Sequence, residues 1–143
     1  MASRQRRGTA SATSKRPRTD RRLLGTWHSD REATVAEWRF RKRLTPEKRR
    51  RFLDIFGHLR ITYTPTRIRT VFHDQEDVGS YELLATDPES VAIRHGMWDL
   101  DATHRIQHIH FEGPDRYWIA LGPNREWFKR VHLRKRVVKR RSA

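Results

Sequence analysis

The sequence predicts a mainly β protein: an eight-stranded antiparallel up-and-down barrel with a helical pair between its first and second strands. After Gly57, apolar residues alternate with polar ones at Leu59, Ile61 and Tyr63, which is the period of a strand with one buried face. Segments of this kind recur roughly every 8 to 12 residues with turn residues between them, as in antiparallel meanders. We count eight such segments, and about eight strands suffice to close a barrel around side chains or one small ligand.

Two helices are predicted before this alternation begins. The first predicted strand covers residues 23–28, and Ser29 with Glu32 then forms a capping box that opens a helix. Thr45 as N-cap and Pro46 at the first helical position open the second helix.

The other strands are placed by alternation and by turn residues. They are predicted at residues 59–63, 67–72, 81–85, 91–94, 105–111, 116–121 and 125–133. The acidic stretch from Asp74 to Gly79 is interpreted as a turn.

The formal net charge of +15 is concentrated at the two ends of the chain. Residues 1–22 carry +7 and residues 129–143 carry +8, whereas residues 23–128 contain 16 basic and 16 acidic side chains. The segment 1–22 also lacks aromatic residues, and such a composition predicts disorder. We therefore predict a disordered basic tail at 1–22, a barrel domain at 23–133 and a second basic tail at 134–143.

Composition excludes several classes of protein. The chain has no cysteine, which excludes disulfide scaffolds and thiolate metal sites. It has no apolar run near the roughly 18 residues of a membrane-spanning helix. We expect a cytoplasmic location, with organelle import of the Arg-rich N-terminus or nuclear import through residues 15–18 as alternatives.

The first and last predicted strands carry a further pattern. Gly25-Thr26-Trp27 lies on the first strand and Arg130 on the last. This combination resembles the calycin superfamily of lipocalins and fatty-acid-binding proteins, and in plan it is similar to small bacterial lipocalin-like proteins with no assigned function. The resemblance implies that Trp27 closes the base of the barrel, that Arg130 packs across it, and that a small ligand binds inside. The helices after strand one resemble the lid of fatty-acid-binding proteins, but their carboxylate-binding Arg-x-Tyr motif is absent after Arg116.

The predicted interior suits a small apolar or amphipathic ligand. Phe52 and Phe56 of the second helix are expected to cover one end. A barrel filled by its own side chains is the alternative. Six side chains are predicted to line the ligand: Tyr63, Phe72, Tyr81, Phe111, Tyr117 and Trp118.

The histidines are candidates for metal binding. His108 and His110 share one strand face and follow His104. If Ile109 and Phe111 point inward, the histidine pair instead faces solvent. The acidic groups Asp99 with Asp101 and Asp74 to Asp77 lack the spacing of a calcium loop. We expect no metal and no cofactor, and no motif indicates an enzyme.

The basic segments predict contacts with polyanions. Phosphate contacts of this kind are independent of base sequence. Anionic lipid is a competing partner, and tails that only solubilise the chain are a third possibility. The sequence thus predicts a non-enzymatic ligand-binding barrel with polybasic tails. The alternative is a nucleic-acid-associated structural protein with a filled barrel. The predicted polyanion-binding residues are Arg49, Arg50, Arg51, Arg134, Lys135, Arg136, Lys139, Arg140 and Arg141.

Overall fold

The computed structural model describes residues 19–96 and 105–132, which form a closed eight-stranded barrel. Every strand pairs antiparallel with the next along the chain, and the last pairs with the first. The strands are β1 (Gly25–Ser29), β2 (Leu59–Tyr63), β3 (Arg67–Phe72), β4 (Gln75–Asp87), β5 (Ser90–His95), β6 (Ile106–Phe111), β7 (Arg116–Leu121) and β8 (Asn124–Arg130). The helices α1 (Arg31–Glu37) and α2 (Pro46–Leu53) lie between β1 and β2. The predicted fold class is therefore confirmed.

The core lies inside the barrel because the strands alternate. On β2, Ile61 and Tyr63 are buried while Arg60 is exposed, and on β5 Val91 and Ile93 are buried while Arg94 is exposed. The buried cluster comprises Leu23, Trp27, Ile61, Tyr63, Ile68, Tyr81, Leu83, Val91, Ile93, Ile109, Tyr117 and Phe128.

Helix α1 begins one residue later than predicted. Its N-cap is Asp30, whose side-chain oxygen accepts a hydrogen bond from the Ala33 amide at 3.1 Å. Ser29 remains in β1 and is buried, so the predicted capping box is wrong. The helix ends at Glu37 because the backbone of Trp38 is extended, and the Trp38 ring packs on Phe56.

Helix α2 begins as predicted. The Thr45 hydroxyl accepts a hydrogen bond from the Lys48 amide at 3.1 Å, and Pro46 follows the cap. The linker between the helices is fixed to the β7–β8 turn, where the Asn124 amide side chain hydrogen-bonds both the N–H and the carbonyl of Arg39. The helical pair is thereby attached to the end of the barrel at which β1 ends and β8 begins.

The acidic stretch after β3 is a strand rather than the predicted turn. The turn consists of His73, at a φ of 59°, and Asp74. β4 then runs for 13 residues, pairing first with β3 and afterwards with β5. Glu76 forms an ion pair with Arg69 across the hairpin, and this partner makes the acidic sequence compatible with a strand.

One end of the barrel, which we term the closed end, is sealed where β1 begins and β8 ends. The guanidinium of Arg130 lies 4.2 Å from the centre of the Trp27 ring, a cation–π contact. The same guanidinium donates hydrogen bonds to the carbonyls of Leu24 at 2.7 Å and Arg22 at 2.8 Å. The Trp27 indole N–H donates to the carbonyl of Leu23, so the chain before β1 is fixed across the base.

Gly25 is required by this arrangement. Its φ of +115° is one that L side chains rarely adopt, and a Cβ there would lie 2.9 Å from Nη1 of Arg130. Glycine in the Gly-x-Trp pattern therefore makes room for the arginine.

The packed domain begins earlier than predicted. Asp20 and Arg22, which the sequence assigns to the tail, form a salt bridge at 2.8 Å. The Arg22 guanidinium also donates to the carbonyls of Asp87 and Pro88 in the β4–β5 turn. The hydrogen bond from Arg22 lowers the pKa of Asp20 to about 2.

Replacing Gly25 by alanine should destabilise the barrel, because the substitution combines an unfavourable φ with a clash against Arg130. We expect the free energy of unfolding to fall by about 1 to 3 kcal/mol. Urea unfolding followed by tryptophan fluorescence measures the change.

Gly96→Ala is the matched control. A Cβ at Gly96 would meet no atom within 4 Å. Its effect should stay within about 0.5 kcal/mol. Equal effects of the two substitutions would contradict the role assigned to Gly25.

Candidate functional site

The middle of the barrel is occupied by aromatic side chains in contact with one another. The ring of Tyr117 lies 4.6 Å from that of Trp27 and 5.0 Å from that of Phe128. The hydroxyls of Tyr63 and Tyr117 are 3.2 Å apart. Burial raises the pKa of both phenols. Tyr63 and Tyr117, predicted to line a ligand, thus pack against each other.

Two other predicted lining residues lie nearer the closed end. Tyr81 is buried, and its hydroxyl donates to the Thr64 carbonyl at 2.7 Å. Phe111 is half-buried under the guanidinium of Arg22, 4.7 Å from the ring centre. Phe111 is part of the closure of the barrel, whereas Tyr81 also borders a cavity of about 290 Å³ beside Arg94 and Arg105.

Trp118 lies on the outer face of β7 and does not line the interior, in contrast to the expectation from sequence. Its ring stacks on His110 at 3.9 Å, and the Arg125 guanidinium lies 4.2 Å from its centre. Tyr117 occupies the inward position instead, since neighbouring residues of a strand point to opposite faces.

The histidine pair also lies outside the barrel. Ile109 between the two histidines is fully buried, whereas His108 is exposed and its Nε2 is 2.8 Å from the Ser90 hydroxyl. In residues 19–96 and 105–132, no three histidine or acidic side chains come together as metal ligands. His104, Asp99 and Asp101 lie outside the described residues.

A polar group that the sequence analysis missed lies at the opposite end, which we term the open end. The Ser29 hydroxyl donates to Oε2 of Glu126 at 2.8 Å and accepts from the Gly57 amide at 3.0 Å. Burial raises the pKa of the Glu126 carboxyl. Glu126 shares the inward face of β8 with Phe128, and this two-residue spacing is the signal that was available in the sequence.

The inward face of β2 to β4 borders a cavity of about 460 Å³ at the open end, the mouth cavity. Leu59 and Phe72 supply apolar wall, and Thr70, only 2% exposed, lies deepest. Gln75, Glu76 and Asp77 of β4 complete the lining. Phe72 is 39% exposed at this rim. Like Tyr81, it is a predicted lining residue that borders an open cavity among the residues described.

The predicted polyanion-binding residues are described only in part. Arg49, Arg50 and Arg51 are exposed on α2. Residues 134–141 lie outside the described part of the chain.

Comparison with known proteins places no further constraint on the site. No protein-family model, curated protein or solved structure matches the chain. Among the described residues, the helices are too short and too polar to span a membrane.

Stability should depend on pH through Glu126. A carboxyl whose pKa is higher in the folded than in the unfolded chain binds its proton more tightly when folded, so stability rises as the pH falls toward its ordinary pKa of 4.5. We expect Glu126→Gln, which keeps an acceptor for Ser29, to be more stable than the native chain at neutral pH. Its urea-unfolding free energy should also depend less on pH above the ordinary glutamate pKa of 4.5.

Burial also lowers the pKa of His28 and His110. The native chain and the Glu126→Gln variant share these histidines, so their effects on stability cancel when the two are compared. Glu112→Gln changes an exposed glutamate and should keep the native profile. A Glu126→Gln profile parallel to that of the native chain would show that the carboxyl is solvated.

Proposed function

We propose that the protein binds a small amphipathic ligand at the open end of its barrel. The observation that carries this proposal is the mouth cavity, whose volume of about 460 Å³ lies in the range of ligand pockets. The contact of Arg130 with Trp27 at the closed end supports a calycin-like barrel, in which such a site is expected.

The chemistry of the mouth cavity favours one kind of ligand. Leu59 and Phe72 offer apolar surface to a hydrocarbon chain. Gln75 and Asp77 offer acceptors for a head group that donates hydrogen bonds. An alkylammonium or a hydroxylated amphiphile fits this lining better than a fatty acid, whose carboxylate would meet Asp77.

The helical pair borders the entrance. His58, which joins α2 to β2, has its ring 6.2 Å from that of Phe72. Nε2 of His58 is also 2.8 Å from the carbonyl of Asp54 just after α2. A ligand that reaches the mouth cavity therefore passes the C-terminal end of the second helix.

The basic segments add contacts with polyanions in this proposal. The exposed arginines 49–51 and the charges of the two tails support it. A nucleic-acid-associated structural protein is the second candidate, and the aromatic contacts that occupy the middle of the barrel favour it. Saturable ligand binding separates the two candidates.

A fluorescent alkylammonium probe should bind the full chain saturably, and Phe72→Ser should weaken its Kd about tenfold through lost apolar contact. A fluorescent fatty acid of equal chain length should bind more weakly than the alkylammonium. Fluorescence titration measures both.

Val78→Ser is the control, since Val78 is 48% exposed on the outer side of β4, the strand that pairs with the one carrying Phe72. It should leave the Kd unchanged. Absence of saturable binding by either probe would reject the ligand site in favour of the structural candidate.

A further inference from the structure

An apolar groove lies on the outer surface of the helical pair, away from the mouth cavity. It encloses about 430 Å³ between the α1–α2 linker and the β7–β8 turn. Its apolar lining consists of Trp38, Phe40, Leu44, Phe52, Leu121 and Pro123.

The apolar side chains of the groove are held in place yet remain accessible. Phe52 packs on Trp38 with ring centres 5.4 Å apart and on Phe40 at 5.6 Å. Phe52 and Leu121 are nevertheless each 38% exposed. Contiguous exposed apolar surface with a polar rim is typical of interaction sites.

Basic residues surround the groove. Arg39, Arg41 and Lys42 line it directly. Residues 39–51 contain eight basic side chains and a single acid, Glu47. Within the part of the chain that the structure describes, none of these eight forms an ion pair.

We infer that this basic–aromatic face, the groove together with residues 39–51, docks on an anionic lipid bilayer. Basic side chains around accessible aromatic and aliphatic ones match the boundary between anionic head groups and acyl chains. A nucleic-acid duplex would contact the arginines through its phosphates but would leave Phe52 and Leu121 in water, so the exposed apolar side chains favour the bilayer. The inference specifies anionic lipid as the polyanion that this face contacts. It does not depend on the mouth cavity.

Co-sedimentation of the full chain with phosphatidylcholine vesicles, with and without phosphatidylglycerol, tests the inference. We expect partitioning only into the anionic vesicles. Phe52→Ser combined with Leu121→Ser should lower the partition coefficient about tenfold. Val78→Ser combined with Ile106→Ser, two exposed apolar residues elsewhere, should not change it.

The charges are tested in the same way. Arg41→Gln with Lys42→Gln should lower the partition coefficient about tenfold. The control pair Arg60→Gln with Arg67→Gln removes two exposed charges outside the face and should have a smaller effect. If both pairs act equally, attraction is a property of net charge and the inference is overturned.

Insertion of the basic–aromatic face into the bilayer can be measured directly on the native chain. Acyl-chain-brominated lipid should quench the fluorescence of Trp38, and the quenching should disappear in Trp38→Phe. Circular dichroism shows whether Phe52→Ser alters the fold. If it does, the quenching measurement still tests the inference, because it uses the native chain. Absence of quenching would overturn the inference. It would also be overturned if the apolar pair left vesicle binding intact while Arg41→Gln with Lys42→Gln weakened DNA retardation, and the face would then be a nucleic-acid surface. Vesicle binding and Trp38 quenching do not involve the mouth cavity. They therefore keep their meaning if the fluorescence titration with Phe72→Ser shows no ligand binding.

Discussion

The guanidinium of Arg130 over the ring of Trp27 holds together the two ends of the barrel sheet. β1 and β8 pair through only three residues each, and the Arg130 hydrogen bonds to the carbonyls of Arg22 and Leu24 extend that short seam across the base. Gly25 leaves the space that the guanidinium needs. Closure of the sheet, burial of Leu23 and Trp27, and the position of the chain entering β1 all depend on this contact.

The barrel divides along its axis into a packed part and an accessible part. The hydroxyls of Tyr63 and Tyr117 meet in the middle, and the mouth cavity lies at the open end. There Ser29 links the Glu126 carboxyl to the Gly57 amide at the end of the helical pair. The Ser29 hydroxyl thus connects the inward side of β8 to the chain that follows α2, beside the hydrogen bond from the Trp127 amide to Thr34 of α1.

Alternation and turn residues were sufficient to predict eight strands, the helical pair and its place in the chain. The errors have non-local causes. Ser29 has the sequence context of an N-cap, but its hydroxyl bonds Glu126, 97 residues away. Asp74 to Gly79 has the composition of a turn, but Glu76 forms an ion pair with Arg69 on the neighbouring strand. Tyr117 and Trp118 are adjacent aromatics, and propensity alone does not decide which one points inward.

Because the barrel has an even number of strands joined in an up-and-down order, the chain enters and leaves the described part at the same end. Arg22 and Val131 both lie at the closed end, where the Val131 amide donates to the Thr26 carbonyl. The basic helical pair occupies the other end, roughly 15 to 20 Å away across a five-residue strand. The described chain therefore enters and leaves the barrel at the end opposite to the exposed arginines of α2.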